Sequence, residues 1–206
     1  MGGRADRIAA HFLISAPTLA ECPPADVPEV AIAGRSNSGK SSVLNQLTRN
    51  RQLARTSKTP GRTQLLNFFS TTAGGRLVDL PGYGYARVAK SQKRIWQDNV
   101  EDYLARRETL VGVVLVMDVR RPFEPFDVLM INWARQAEVR MHVLLNKADK
   151  LKHGAAVTAL RAAERRLTSP VFSLQLFSAR TGLGRDDAID TLSLWLTAQV
   201  SEPHPS

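Results

Sequence analysis

Apolar residues in this chain gather into short runs divided by polar segments, and two kinds of run alternate. Val111-Gly-Val-Val-Leu-Val-Met117 and Val143-Leu-Leu145 are apolar without interruption over strand-like lengths, the pattern of strands covered on both faces. Strands are expected at 29–33, 65–70, 76–80, 111–118, 141–146 and 172–178. Helices are expected at 41–48, 91–107, 126–137, 155–167 and 186–200. In the last of these, Ile189, Leu192, Leu196 and Val200 recur at helical spacing with Trp195 beside them, which marks a core-facing stripe. Such alternation predicts an α/β three-layer fold, a mostly parallel six-stranded sheet with helices on both faces. Residues 1–26 read as an arm packed loosely before the core, 27–200 as a single domain, and 201–206 as a disordered tail. No repeat, heptad or low-complexity tract interrupts this plan.

Composition narrows the setting. With 206 residues, 43% hydrophobic and 23% charged, the chain suits one globular core. Its longest apolar runs are too short to span a bilayer. His11, Ser15 and Pro17 break up the apolar N-terminal residues, so a secretory signal is not expected. One cysteine, Cys22, allows no intramolecular disulfide, and His11, His142, His153 and His204 show no ligand spacing. A cytoplasmic location is expected. The net charge of +9 points to a polyanionic partner, either nucleic acid or an anionic membrane surface.

Chemistry enters at the ends of the expected strands, where ligands bind in sheets of this kind. Gly34-Arg-Ser-Asn-Ser-Gly-Lys-Ser41 follows the first strand and matches G-x-x-x-x-G-K-[ST]. In that pattern the backbone N–H groups of Gly34, Arg35, Ser36, Asn37, Ser38 and Gly39 can wrap a polyphosphate. Lys40 can reach the terminal phosphates and Ser41 can offer its hydroxyl to Mg²⁺, with Ser42 in the first helical turn. Asp79-Leu80-Pro81-Gly82 forms a D-x-x-G at the third strand end: a carboxylate to hold an Mg²⁺-bound water, and a glycine N–H for a γ-phosphate. Asn146-Lys147-Ala148-Asp149 forms an N-K-x-D after the fifth. There Asp149 can accept both the N1–H and the exocyclic amine of guanine, a donor pair that adenine lacks. Asn146 can bind the base edge or brace the phosphate loop, and the Lys147 stem can cover a ring face. Phe177, Ser178 and Ala179 lead out of the sixth strand, where the Ala179 N–H can meet guanine O6.

These four segments, in this order, resemble the motif set of the translation-factor-related GTPases. Two further stretches, Arg55-Thr-Ser-Lys-Thr-Pro-Gly-Arg-Thr-Gln-Leu-Leu-Asn-Phe-Phe69 and Pro81-Gly-Tyr-Gly-Tyr-Ala86, resemble the EngB family, also called YihA or YsxC, over about residues 12–196. The resemblance implies a P-loop GTPase fold and a small bacterial GTPase acting in large-ribosomal-subunit assembly, often linked with cell division and septation. It also supports Thr63, within Gly61-Arg62-Thr63-Gln64-Leu65, as the residue closing over the γ-phosphate. On this reading Ser41 and Thr63 contact Mg²⁺ directly and Asp79 does so through water. The residues expected to carry the chemistry are Lys40, Thr63, Gly82 and Asn37.

Tyr83 stands where many GTPases place a water-orienting glutamine, so slow intrinsic hydrolysis of GTP to GDP is expected. Asn37 resembles the asparagine of potassium-dependent GTPases, which implies K⁺ beside the phosphates. Arg49, Arg51, Arg55, Lys58 and Arg62 form one basic cluster without acids, and Arg87, Lys90, Lys93 and Arg94 form a second. Both fit rRNA phosphates on the large subunit, contacted by a monomer. The alternative is a ribosome-docking module that uses GTP mainly as a conformational ligand.

Overall fold

The computed structural model describes residues 8–53, 65–82 and 99–197. The described residues form seven strands: β1 (Ala10–Ala16), β2 (Glu29–Gly34), β3 (Leu66–Thr71), β4 (Arg76–Asp79), β5 (Leu110–Asp118), β6 (Met141–Asn146) and β7 (Phe172–Leu176). Among the described residues the α-helices are α1 (Lys40–Thr48), α2 (described over 99–106), α3 (Pro125–Gln136), α4 (His153–Glu164) and α5 (Arg185–Leu196). The continuous apolar runs form the central strands because each strand feeds two cores. On β5, Val113, Leu115 and Met117 join Tyr103, Met130, Ile131 and Ala163 under α2, α3 and α4. The alternate residues Val114 and Val116 join Val43, Leu44, Leu47, Ile189 and Leu192 under α1 and α5. The two-residue period of a strand thus divides one run between two faces.

The sheet order is β1-β3-β4-β2-β5-β6-β7. β4, β2, β5, β6 and β7 are mutually parallel, whereas β3 runs antiparallel to both β1 and β4. Register brings the ends of the parallel strands level: Ile32 lies beside Asp79, Gly34 beside Val116, and Asp118 beside Asn146. Every connection carrying a candidate motif therefore leaves the same edge of the sheet.

Two features differ from the sequence reading. The sheet has seven strands rather than six, because part of the supposed loose arm pairs with β3 as an edge strand. Its pattern hid it: Phe12, Leu13 and Ile14 are all exposed, and the register slips between Phe12 and Ile14. Phe12 is nonetheless held edge-on to Phe69, with ring centroids 5.9 Å apart. The second is a buried charge cluster, on which the sequence reading is silent, at the opposite end of the strands from the motifs. Glu29, fully buried, accepts hydrogen bonds from Arg107 Nε and Nη2 (2.8 and 2.6 Å), Arg76 Nη1 (3.3 Å) and Tyr103 Oη (3.1 Å). The same arginines donate to the carbonyls of Pro23 and Pro24, which ties residues 23–29 to the sheet.

Candidate functional site

The loop from β2 to α1 turns twice through left-handed backbone, at Asn37 (φ 67°) and Gly39 (φ 94°). Glycine is required at both ends of this loop. A Cβ on Gly34 would lie 2.9 Å from the Val116 carbonyl, and one on Gly39 would lie 2.3 Å from Asn146 Nδ2. No side chain caps α1, so its first N–H groups stay directed at the loop and give it positive potential. Ser38 Oγ is buried and has no hydrogen-bond partner among the described residues.

Around this loop the structure collects the other motifs. Lys40 Nζ donates to Asp79 Oδ1, with both side chains about nine-tenths buried. An ammonium has three donors, so this pair leaves Lys40 with further N–H groups for phosphate. Ser41 lies in the first turn of α1, and Ser42 beside it is exposed. Leu80 and Pro81 are buried just beyond Asp79, and Gly82 is half-buried. Asn146 braces with both ends of its amide: Nδ2 donates to Ser38 O at 2.9 Å, and Oδ1 accepts from Ala179 N at 3.1 Å. Of its two sequence-level roles, the structure displays the brace. The Ala179 N–H is likewise engaged here with Asn146 rather than open toward a base, because the amide of Asn146 lies between the two loops.

Asp149 faces the same edge. Its Oδ1 accepts from Ser178 Oγ at 2.7 Å, and Oδ2 lies 3.2 Å from Arg180 Nε and 3.8 Å from Lys150 Nζ. Oδ2 is buried and accepts no well-directed hydrogen bond among the described residues. The Ser178 hydrogen bond, followed by the charges of Arg180 and Lys150 against some burial, holds the Asp149 carboxyl below its ordinary range. Phe177 is buried beneath, its carbonyl accepting from Ala148 N at 3.1 Å.

One residue escaped the sequence reading. Asp118, at the end of β5, lies 3.0 Å from Lys147 Nζ and holds Arg120 by two side-chain hydrogen bonds of 3.0 and 2.7 Å. Burial raises its carboxyl, but the hydrogen bonds from Arg120 and Lys147 outweigh that and keep it well below the usual range. The signal was available: it is a carboxylate at a strand end, hidden by being counted within the strand. A cleft of about 490 Å³ beside it is lined by Arg35, Ser36, Asn37, Asp118, Arg120, Arg121 and Lys147.

Among the described residues no group of three or more His, Cys, Asp or Glu side chains can hold a metal. The donors near the phosphate loop, the Ser41 hydroxyl and the Asp79 carboxylate, are all oxygen. They fit a hard cation that keeps waters and phosphate oxygens in its shell, as Mg²⁺ does. Gly61, Arg62, Thr63, Gln64, Tyr83 and the basic residues Arg55, Lys58, Arg87, Lys90, Lys93 and Arg94 lie outside the described residues. Leu65 is half-buried just before β3, while Arg49 and Arg51 are exposed after α1.

Comparison with known proteins follows the same outline. A family model described as 50S ribosome-binding GTPase matches residues 29–147. Among solved structures, a probable GTP-binding protein engB is 24% identical, with a TM-score of 0.67 over 82% of this chain and 98% of that one. Era in complex with MgGDPNP and nucleotides 1506–1542 of 16S ribosomal RNA is 21% identical, with a TM-score of 0.60. That match covers 87% of this chain and 60% of the Era chain. The G domain of the T. maritima FeoB iron transporter is 22% identical, with a TM-score of 0.54 over 82% and 98%. At such identities these likenesses establish the fold. No helix among the described residues is long and apolar enough to cross a membrane.

Proposed function

The chain belongs to the 50S ribosome-binding GTPase family, and from its site we propose an Mg²⁺-dependent GTP-hydrolysing switch of the EngB type. The observation that carries this reading is the convergence of Asn146, Ser38 and Ala179. One amide joins the phosphate loop to the loop beside Asp149, so phosphate and base recognition share a rigid frame.

In the proposal Asp149 selects guanine: its carboxylate accepts from N1–H and the 2-amino group, and Oδ2 is the buried oxygen with acceptor capacity left. The Lys147 stem flanks the base. Backbone N–H groups of residues 34–42 and the start of α1 receive the phosphates, with Lys40 at their far end. Ser41 and Asp79, together with Thr63, would hold Mg²⁺. Bound Mg²⁺ would neutralise charge on the terminal phosphate oxygens. Gly82 offers its N–H to the γ-phosphate, and Tyr83 in the water-orienting place keeps intrinsic turnover slow. K⁺ beside Asn37 belongs to the proposal on resemblance alone; equal single-turnover rates in K⁺ and Na⁺ would remove it.

The role assigned to the switch is large-ribosomal-subunit assembly, with an effect on cell division and septation. The family and the net charge of +9 support it. In the sequence the basic segments 49–62 and 86–97 come before β3 and after β4, and in the proposal they would form an rRNA-facing surface when GTP is bound. Cosedimentation with isolated ribosomal subunits in the nucleotide-free, GDP and GTP-analogue forms tests this. The expected result is tightest binding to large subunits with the analogue, weakened steeply by salt. Equal binding in all three forms would contradict it.

A further inference from the structure

We propose that Asp118 is a positioning residue that fixes Lys147 against the phosphate loop, so that one carboxylate sets the geometry of the base-binding and phosphate-binding segments together. The inference rests on the guanine-nucleotide reading and deepens it.

Asp118 ends β5 directly beside Asn146 in the sheet, and its side chain is only 10% exposed. Its acceptor positions are filled. Oδ1 takes hydrogen bonds from Arg120 N and Nε, both at 3.0 Å; Oδ2 takes Arg120 Nη2 at 2.7 Å and lies 3.0 Å from Lys147 Nζ. Arg120 is itself 48% exposed, but its planar guanidinium together with the main-chain N–H restrains the carboxylate from rotating away. It therefore presents a fixed anchor to Lys147, a flexible side chain that would otherwise sample many rotamers.

The far side of Lys147 shows what this anchor achieves. The same ammonium donates to the main-chain carbonyl of Asn37 at 2.5 Å. Asn37 and Lys147 both occupy left-handed backbone, with φ of 67° and 66°. Lys147 Cε also lies 3.7 Å from where a Cβ on Gly39 would stand, so its stem runs along the phosphate loop. The chain of contacts Arg120–Asp118–Lys147–Asn37 thus spans the β5 end, the N-K-x-D segment and the phosphate loop. Without the carboxylate, Lys147 would share the cleft with Arg35, Arg120 and Arg121 and be repelled by all three.

Positioning and simple charge make opposite demands. If Asp118 only added negative charge near a polyphosphate site, its removal would strengthen nucleotide binding. If it positions Lys147, its removal weakens binding even though a repulsive charge has gone.

The test is calorimetric titration with GDP and IDP, in Mg²⁺ buffer, of the wild type, Asp118→Asn, Lys147→Met and the double variant. Asp118→Asn is isosteric and keeps an acceptor for Arg120 N. It should weaken GDP about tenfold, the scale of one charge-assisted contact. The double variant should be no weaker than Lys147→Met alone. The preference for GDP over IDP, which the proposal gives to Asp149, should be unchanged in Asp118→Asn. Unchanged or tighter GDP binding by Asp118→Asn, or additive losses in the double variant, overturns the inference. A wild type that does not bind GDP overturns the nucleotide reading itself. If thermal melting shows Asp118→Asn unfolded, Asp118→Glu replaces it: displacing the carboxylate by one methylene should weaken GDP about threefold, and unchanged affinity overturns the inference.

Discussion

Asn146 and Ser38 are joined by one hydrogen bond, side-chain Nδ2 to main-chain carbonyl at 2.9 Å, across 108 residues of sequence. The contact is buried, and the other end of the same amide holds Ala179 N. Asn146→Asp keeps the shape but turns the donor facing Ser38 O into an acceptor. The lost hydrogen bond and the buried repulsion should cost about 2 kcal/mol of stability and weaken GDP by at least about tenfold. Urea unfolding and calorimetry on the same preparation check both effects.

Gly39 and Gly74 allow strain and steric conflict to be separated. Their φ angles are nearly equal, 94° and 95°, but a Cβ on Gly39 meets Asn146 Nδ2 whereas one on Gly74 meets nothing among the described residues within 4 Å. Gly74→Ala should cost about 1 kcal/mol, the penalty of left-handed backbone, and leave GDP affinity intact. Gly39→Ala should cost more and should also weaken GDP, because Asn146 must give way. Urea denaturation of the two variants side by side gives the difference.

The charge cluster at the other end of the strands concerns stability alone. Glu29→Gln leaves Arg76 and Arg107, each no more than 10% exposed, without their shared anion. Breaking a buried pair from one side costs about 3 kcal/mol. Denaturant midpoints should fall accordingly, while GDP affinity in the folded protein stays unchanged.

Asp127, buried at the start of α3, gives a pH signature. Burial is the main cause that pushes its carboxyl up to about 6, against the hydrogen bond from Glu124 N and the charge of Arg35. A carboxyl raised in the folded state contributes stability that is complete below the unfolded value near 3.8 and is lost as pH rises through about 6. Asp127→Asn should therefore flatten the pH dependence of stability between those values. Thermal melts from pH 4 to pH 8 check it; an unaltered profile would show that another group is responsible.

Much of this architecture was readable before the structure, and the reasons are physical. The central strands announced themselves because burial on both faces demands unbroken apolar runs, as in Val111–Met117. The motifs were readable because each stands at a strand end, where a parallel sheet gathers its ligand contacts. What could not be read is what depends on three-dimensional partners. β1 carries three exposed apolar residues and a bulge, so it shows no alternation. Glu29 finds partners 47 and 78 residues away. The use of Asp118 to hold Lys147, and of Ala179 N–H to hold Asn146, are tertiary contacts that motif spacing does not encode.

The central claim is that Asp149 selects guanine. Calorimetric titration of the wild type and Asp149→Asn with GDP, IDP and ADP in magnesium buffer tests it most directly. The wild type should bind GDP tightest, IDP more weakly for want of the 2-amino donor, and ADP at least about a hundredfold more weakly than GDP. Asp149→Asn should lose the preference of GDP over IDP. Equal binding of GDP and ADP by the wild type, or an unaltered preference in the variant, would contradict the account.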